Sequence, residues 1–242
     1  MKKQPSTTNS SSTSPQIGVL NEKPLHAALK AWYAGENDQV EVRVDGFVID
    51  IVQGDLLVEI QTRNFSGMKR KLIELTKTHA VRLVYPIAQE KWIVKLDKDG
   101  QTPLSRRKSP KKETLEQVFD ELVSFPQLLS HPNFSLELLL TQEEDVRRYK
   151  KKRRRRQQEW LTQERRLLSV VERHLFQTPA DFAPLIPSHL ADRFTTAHLA
   201  GAIGKPRALA RKMVYCLREM GLIVPVGKQG RFILYTRSAE AA

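Results

Sequence analysis

Cysteine occurs once in the 242 residues, at Cys216, which excludes an internal disulfide framework and any cysteine-rich zinc site. No run of about 18 apolar residues occurs, which excludes a transmembrane helix. Behind Met1, Lys2 and Lys3, residues 4–16 (QPSTTNSSSTSPQ) supply no apolar stretch. Residues 1–17 therefore read as a disordered tail rather than a secretion signal, and the chain as an intracellular protein. A glycine-rich phosphate loop is absent, which argues against a nucleotide-driven enzyme. The six histidines (26, 79, 131, 174, 189, 198) lack zinc-ligand spacing, and no serine or cysteine sits in a nucleophile signature. Cys216 falls beside an apolar helical stripe and reads as structural. No internal repeat is found.

What is present is a globular composition with 40% hydrophobic and 28% charged residues, enough for a core. The net charge of +13 is unevenly placed. Residues 1–142 carry 19 basic and 17 acidic side chains, whereas residues 143–242 carry 21 and 10. A near-neutral half joined to a strongly basic half points to a polyanionic partner. DNA is the expected one, RNA is admitted by the same chemistry, and an acidic membrane surface is the rival.

Along the chain, Leu25, Ala28, Leu29, Trp32 and Tyr33 mark one face of an amphipathic helix. Residues 40–44, 47–52 and 56–62 follow as three strands separated by Gly46 and by Gly54-Asp55. Residues 66–79 read as a helix capped by Ser66, residues 80–87 as a strand ending near Pro86, and residues 92–96 as a further strand. Residues 97–112 read as a loop. A helix restarts at Thr114, which forms a capping box with Gln117, and residues 134–140 form a last strand. The first unit, residues 18–142, is thus a mixed α/β domain. Residues 143–160 read as a basic connector helix, which Leu161, Leu167, Leu168, Val171 and Leu175 continue into a second domain, residues 161–238.

The stretch FVIDIVQGDLLVEIQT, residues 47–62, is the most informative. A two-residue turn at Gly54-Asp55 pairs Gln53 with Leu56, Val52 with Leu57, Ile51 with Val58 and Asp50 with Glu59. Directly opposed side chains share a face, and Gln61 joins it two residues beyond Glu59. Ile49, Ile51, Val58 and Ile60 form the opposite, core-facing side. Two opposed carboxylates repel, and a divalent cation reverses that sign. Oxygen ligands at this spacing suit Mg²⁺ or Mn²⁺ with several retained waters, the chemistry of metal-assisted phosphodiester hydrolysis. Read alone, the same pattern is also that of a solvated hairpin face.

A helix, antiparallel strands bearing D…ExK, a second helix and a further strand resemble the core of the PD-(D/E)XK nuclease superfamily. Here Ile49 precedes Asp50, and the ExK element reads Glu59-Ile60-Gln61. The resemblance covers residues 21–96 and implies that Asp50 and Glu59 bind the metal while Gln61 takes the usual lysine position. An amide orients water but brings no charge and no titratable base. Lys69 or Lys71 of the following helix could supply a compensating cation, and Glu22 the extra acidic ligand of some members. Cutting both strands of a duplex calls for two active sites, which admits a homodimer.

Nine of the ten residues from 147 to 156 are basic: Arg147, Arg148, Lys150, Lys151, Lys152, Arg153, Arg154, Arg155 and Arg156. Such a tract supplies affinity for phosphates, not sequence choice. Further on, residues 197–203 and 206–220 read as helices around Gly204-Lys205-Pro206. Residues 222–226 and 231–235 follow as a hairpin. This succession resembles a winged helix-turn-helix. The resemblance implies that Arg207, Arg211 and Arg218 lie on a groove-reading helix and that Lys228 and Arg231 touch the backbone from the wing. The expectation is a Mg²⁺-dependent deoxyribonuclease. Its rivals are a DNA-binding regulator on a degenerate nuclease-like scaffold and an adaptor that docks through its basic arm.

Overall fold

The computed structural model describes residues 22–150 and 160–238. The expected tail, residues 1–17, and the basic residues Lys151, Lys152, Arg153, Arg154, Arg155 and Arg156 lie outside the described residues.

The fold is mixed α/β, a seven-stranded mixed sheet flanked by helices. Helix α1 (Pro24–Tyr33), with Pro24 in its first turn, precedes the meander β1 (Gln39–Val44), β2 (Phe47–Gln53) and β3 (Leu56–Ile60). A 3₁₀ turn, Phe65–Met68, leads into α2 (Lys69–Leu75), and β4 (Ala80–Leu96) then runs parallel to β3. Strand β5 (Pro103–Lys108) returns along β4. After a 3₁₀ turn at Leu115–Val118, the short α3 (Phe119–Leu122) and a second 3₁₀ turn at Pro126–Ser130, β6 (Phe134–Tyr149) pairs in parallel with β4. Strand β7 (Trp160–Phe176) closes the sheet against β6. A 3₁₀ segment, Pro179–Leu185, leads to α4 (Thr196–Ala202), α5 (Arg207–Glu219) and the hairpin β8 (Ile223–Gln229) and β9 (Phe232–Arg237).

Both sheet faces are covered. On one, Leu57, Leu83, Leu136 and Leu138 meet α2, α3 and the C-terminal helices in one continuous core that reaches Phe194 and Met213. On the other, Leu25 and Leu29 of α1 pack on Ile51, Val58, Val84 and Leu139. A buried polar network holds α1 there. Glu137 accepts from Tyr33 Oη at 2.5 Å and from Arg173 Nε at 2.6 Å, with Arg82 at 3.6 Å.

Three expectations are corrected. The connector helix at 143–160 is strand through Tyr149 and again from Trp160, and residues 161–175, also read as helix, belong to β7. The second unit therefore starts only after Phe176. The leucine spacing in 161–175 fits a helix locally, but the ladder from Leu136/Phe176 to Tyr149/Trp160 pairs most of these residues with a non-local strand, with bulges at Gln163, Leu168 and Val171. Leu167 and Val170 pack towards α1 while Leu168, Val171 and Leu175 stay exposed.

Pro86 does not end β4. Val84 accepts from Gln61 N on the β3 side, so Pro86, two residues on, points its missing N–H to that same side, past the end of β3. That vacated edge of β4 then takes β5 at Trp92–Leu96, within a stretch read as loop. The third correction concerns the helices. Residues 66–79 and those from Thr114 form 3₁₀ turns with short α segments, and neither Ser66 nor Thr114 caps them. Of the residues expected to be buried there, Val118, Phe119 and Leu122 are, while Leu115 is half-buried.

Candidate functional site

The hairpin register at Gly54-Asp55 is the expected one: Gln53 pairs with Leu56, Val52 with Leu57 and Ile51 with Val58. Beyond Ile51 the ladder stops, so Asp50 and Glu59 are not a paired couple. β3 leaves β2, and the Asp50 carboxylate fills the gap, accepting from Ile60 N at 2.8 Å. On the other side, β1 pairs Val40 with Ile51 and Val42 with Ile49 and skips the intervening Glu41. Glu41 stands at φ 56°, a left-handed conformation that costs a non-glycine residue about 1–3 kcal/mol. The break has a second effect: Ile49 packs in the main core, whereas Ile51, Val58 and Ile60 pack under α1. The expected single core side is therefore divided at Asp50.

Around this break lies an alternating chain of charges. His26 on α1 contacts Glu22 through Nδ1 at 2.6 Å and Asp50 through Nε2 at 3.2 Å. Lys30, one turn further along, contacts Glu22 at 2.6 Å and Glu41 at 2.7 Å. On the opposite face, Lys71 of α2 lies 2.5 Å from Glu59 Oε1 and donates to the Val48 carbonyl. The Lys71 contact is an ion pair without hydrogen-bond alignment, and Glu59 Oε1 is buried with no hydrogen-bond partner.

These contacts set the protonation states. Burial alone would lower the His26 pKa, but the bonds and charges of Asp50 and then Glu22 outweigh it and raise it to about 9. His26 is therefore an imidazolium at neutral pH, donating from both nitrogens. Burial also acts on Asp50, where His26, the Ile60 N–H and Lys71 more than offset it and hold the carboxyl below its ordinary value. Glu22 is lowered likewise, burial being outweighed by Lys30 and His26. Glu59 goes the other way. Burial, opposed by Lys71 but reinforced by the Asp50 charge, pushes it up to about 7.

Glu22, His26, Lys30, Glu41, Asp50 and Gln61 line an open cleft of about 570 Å³. Glu59, 3% exposed, and Lys71 do not line it. Gln61 reaches only the Asn64 carbonyl, at 3.5 Å. Lys69 is exposed beside Ile73 and Leu128, away from the cleft, so Lys71 alone takes the compensating role expected of that helix. His26 and Lys30 escaped the sequence reading. Their signal was the i, i+4 spacing of Glu22, His26 and Lys30, which stacks all three on one helix face.

The remaining candidates lie elsewhere. Arg147 is bound to Asp145 at 2.5 Å, and Arg148 and Lys150 are exposed at the ends of the ribbon. Arg207, Arg211, Arg218, Lys228 and Arg231 are all exposed. Arg211, Arg218 and Arg231 line a second cleft with Tyr215 and Phe232. Cys216 is buried with its thiol pushed up to about 12, chiefly by burial, which suits a structural residue.

Among the described residues no group of three or more His, Cys, Asp or Glu side chains converges on one point. Mg²⁺ does not need one, since it is commonly held by one or two carboxylates and its own waters. Asp50 and Glu22 in the cleft, and Glu59 behind it with Lys71 on its Oε1, are the hard oxygen donors present here.

The fold and this cleft define a mixed α/β protein with a carboxylate-rich site at a sheet break. Residues 23–177, from the start of α1 to just past β7, match the model of a domain of unknown function, DUF8091, and the chain belongs to that family. An uncharacterized protein of Treponema pallidum (strain Nichols) is 30% identical over 222 residues, 91% of this chain and 87% of that protein, so the likeness extends into the C-terminal unit. No solved structure matches the chain.

Proposed function

We propose that the protein is a metal-dependent nuclease that hydrolyses DNA phosphodiester bonds in the cleft at Asp50. The observation that carries this reading is the pair of carboxylates, Asp50 in the cleft and the buried Glu59 behind it, brought together where β2 and β3 separate. The succession α1, β1–β3, α2, β4 is also the one the PD-(D/E)XK resemblance implies. Asp50 and Glu59 would hold Mg²⁺ or Mn²⁺, with Glu22 close by. When bound, the ion offsets the negative charge that develops on the phosphate oxygens and acidifies an attacking water. Gln61, at the mouth of the cleft, orients water through its amide. Lys71 supplies the positive charge that Gln61 lacks, and His26 is a positioning residue that fixes the Asp50 carboxylate. The winged-helix resemblance of α4, α5 and the β8–β9 hairpin supports DNA as the substrate, with Arg207, Arg211 and Arg218 on the groove-reading helix and Lys228 and Arg231 as backbone contacts from the wing.

The test is cleavage of supercoiled plasmid, linear duplex and single-stranded DNA with Mg²⁺, Mn²⁺ or EDTA. Asp50→Asn and Glu59→Gln proteins run alongside. Metal-dependent cutting that falls about a hundredfold or more in both variants is expected. A second reading has its own observation. His26 and Lys71 already neutralise Asp50 and Glu59, and Glu59 is shut off from the cleft, as in a non-catalytic DNA-binding regulator. DNA binding that needs no metal and is unchanged by either substitution, without cutting, would establish it.

A further inference from the structure

The carboxylate cleft does not end at Asn64. A second cleft of about 180 Å³ adjoins it, lined among others by Leu25, Thr162, Gln163 and Arg165, and the two share Lys23, Thr62 and Arg63. Lys23 and Arg63 are both exposed, and neither makes an ion pair with a described residue. Other cations nearby are committed: Lys30 to Glu22 and Glu41, and Arg165 to the fully buried Glu143 at 2.7 Å. Arg165 also donates to the Thr62 carbonyl at 3.4 Å, which ties the Thr62–Arg63 loop to β7. The carboxylate of the smaller cleft, Glu164, is occupied by Arg166. Two unengaged cations therefore stand at the shared mouth. The groove beyond them runs onto β7 along Thr162, Gln163, Glu164 and Arg165.

We propose that Lys23 and Arg63 form a phosphate-binding step between the two clefts, so that the substrate is a polynucleotide strand running several phosphates past the reacting one, not a mononucleotide or small diester. This rests on the nuclease reading for the word substrate. The groove itself stands on its own charges and shape. A strand leaving the carboxylate cleft passes Lys23 and Arg63 and follows Gln163 and Thr162 along β7. Lys23 with Arg63 sets the direction in which the strand lies.

The test uses the full chain in EDTA and thymidine oligonucleotides of two, six and twelve residues, with binding read by fluorescence anisotropy at several salt concentrations. In the Lys23→Ala/Arg63→Ala protein, dinucleotide binding is expected to match wild type while the twelve-residue strand binds more weakly. Its log–log salt slope should be shallower by about 1.4, at about 0.7 per single-strand phosphate contact. The Lys23→Arg/Arg63→Lys protein should keep the wild-type slope. Equal affinity and slope in wild type and the alanine variant overturn the proposal, as does an equal loss in the charge-preserving variant. Cleavage of supercoiled plasmid by the wild-type protein with Mg²⁺ or Mn²⁺ tests the nuclease reading separately. If the wild type cuts nothing, the nuclease reading falls, and the binding data decide the groove alone.

Discussion

Replacing Glu59 by glutamine should stabilise the protein at neutral and alkaline pH while leaving its stability at acid pH almost unchanged. Glu59 is 3% exposed, and burial raises its pKa from 4.5 to about 7 even with Lys71 beside it. A carboxyl whose folded value lies above its unfolded value favours folding when protonated. The stability linked to it is full below about pH 4.5 and is lost as pH rises to about 7. At 1.36 kcal/mol per pH unit the loss is about 3 kcal/mol, complete above pH 7. Glutamine cannot ionise, so the variant escapes it. The loss of a counter-ion for Lys71 does not confuse the comparison, because at pH 4 wild-type Glu59 is neutral as well, and the value of about 7 already includes the Lys71 attraction. Thermal unfolding of both proteins without metal, from pH 4 to pH 8.5, reads the difference. For a chain of this size, about 3 kcal/mol corresponds to roughly 6–12 °C in Tm. A Tm difference that stays constant across that range, or that shrinks as pH rises, would refute the argument that Glu59 is ionised against its surroundings.

Lys71→Met should cost about 3–5 kcal/mol at pH 8, because it leaves the Glu59 carboxylate buried without its cation. Adding Glu59→Gln should recover most of that cost in denaturant titrations, and simple additivity of the two substitutions would show that the side chains are not coupled. His26 should titrate near pH 9 by imidazole NMR. Its pKa is raised from 6.5, so its contribution of about 3 kcal/mol is full below pH 6.5 and disappears as pH rises through about 9. A His26 titration near 6.5 would remove Asp50 and Glu22 as its partners. Glu137→Ala should destabilise by about 3 kcal/mol or more, since Arg82 and Arg173 lose their shared buried carboxylate and α1 loses its Tyr33 anchor. Unchanged denaturant midpoints would show that α1 is held by its leucines alone.

The parts of the fold legible in the sequence are those where local chemistry and tertiary pairing agree. Gly54-Asp55 sets a hairpin register that alternating residues on both sides reinforce, and α5 carries its apolar stripe between Pro206 and Gly221. Legibility fails where a strand is defined only by a distant partner. β5 has all six residues exposed and a basic sequence, so nothing in it alternates, and only the edge of β4 freed by Pro86 makes it a strand. β7 carries leucines at helical spacing and becomes a strand through β6. At the site, the nearness of two carboxylates on one hairpin was readable, but the expected Asp50–Glu59 pairing fails at the break, which was not readable. It depends on β3 turning away to follow β4, and on a left-handed Glu41 that no residue preference announces.

The energetics of this break argue that it serves something other than the fold. Glu41 keeps a conformation that a glycine would hold without strain, Asp50 interrupts a ladder that an uncharged residue would continue, and Glu59 keeps a charge that glutamine would remove. Each feature costs on the order of 1–3 kcal/mol, against a net stability of about 5–15 kcal/mol for a whole domain. The charged partners lessen the cost without abolishing it, because Glu59 remains raised with Lys71 in contact and one oxygen without a hydrogen bond. Elsewhere in the same sheet, buried acids are fully served: Glu143 has Arg165 and Thr141, and Glu137 has Tyr33 and Arg173. The chain can therefore satisfy a buried carboxylate, and the one left with an ion pair but no aligned hydrogen bond on its Oε1, Glu59, lies beside Asp50, behind the cleft that Asp50 lines. That contrast within one sheet is the strongest physical reason to look there for ligand binding and catalysis.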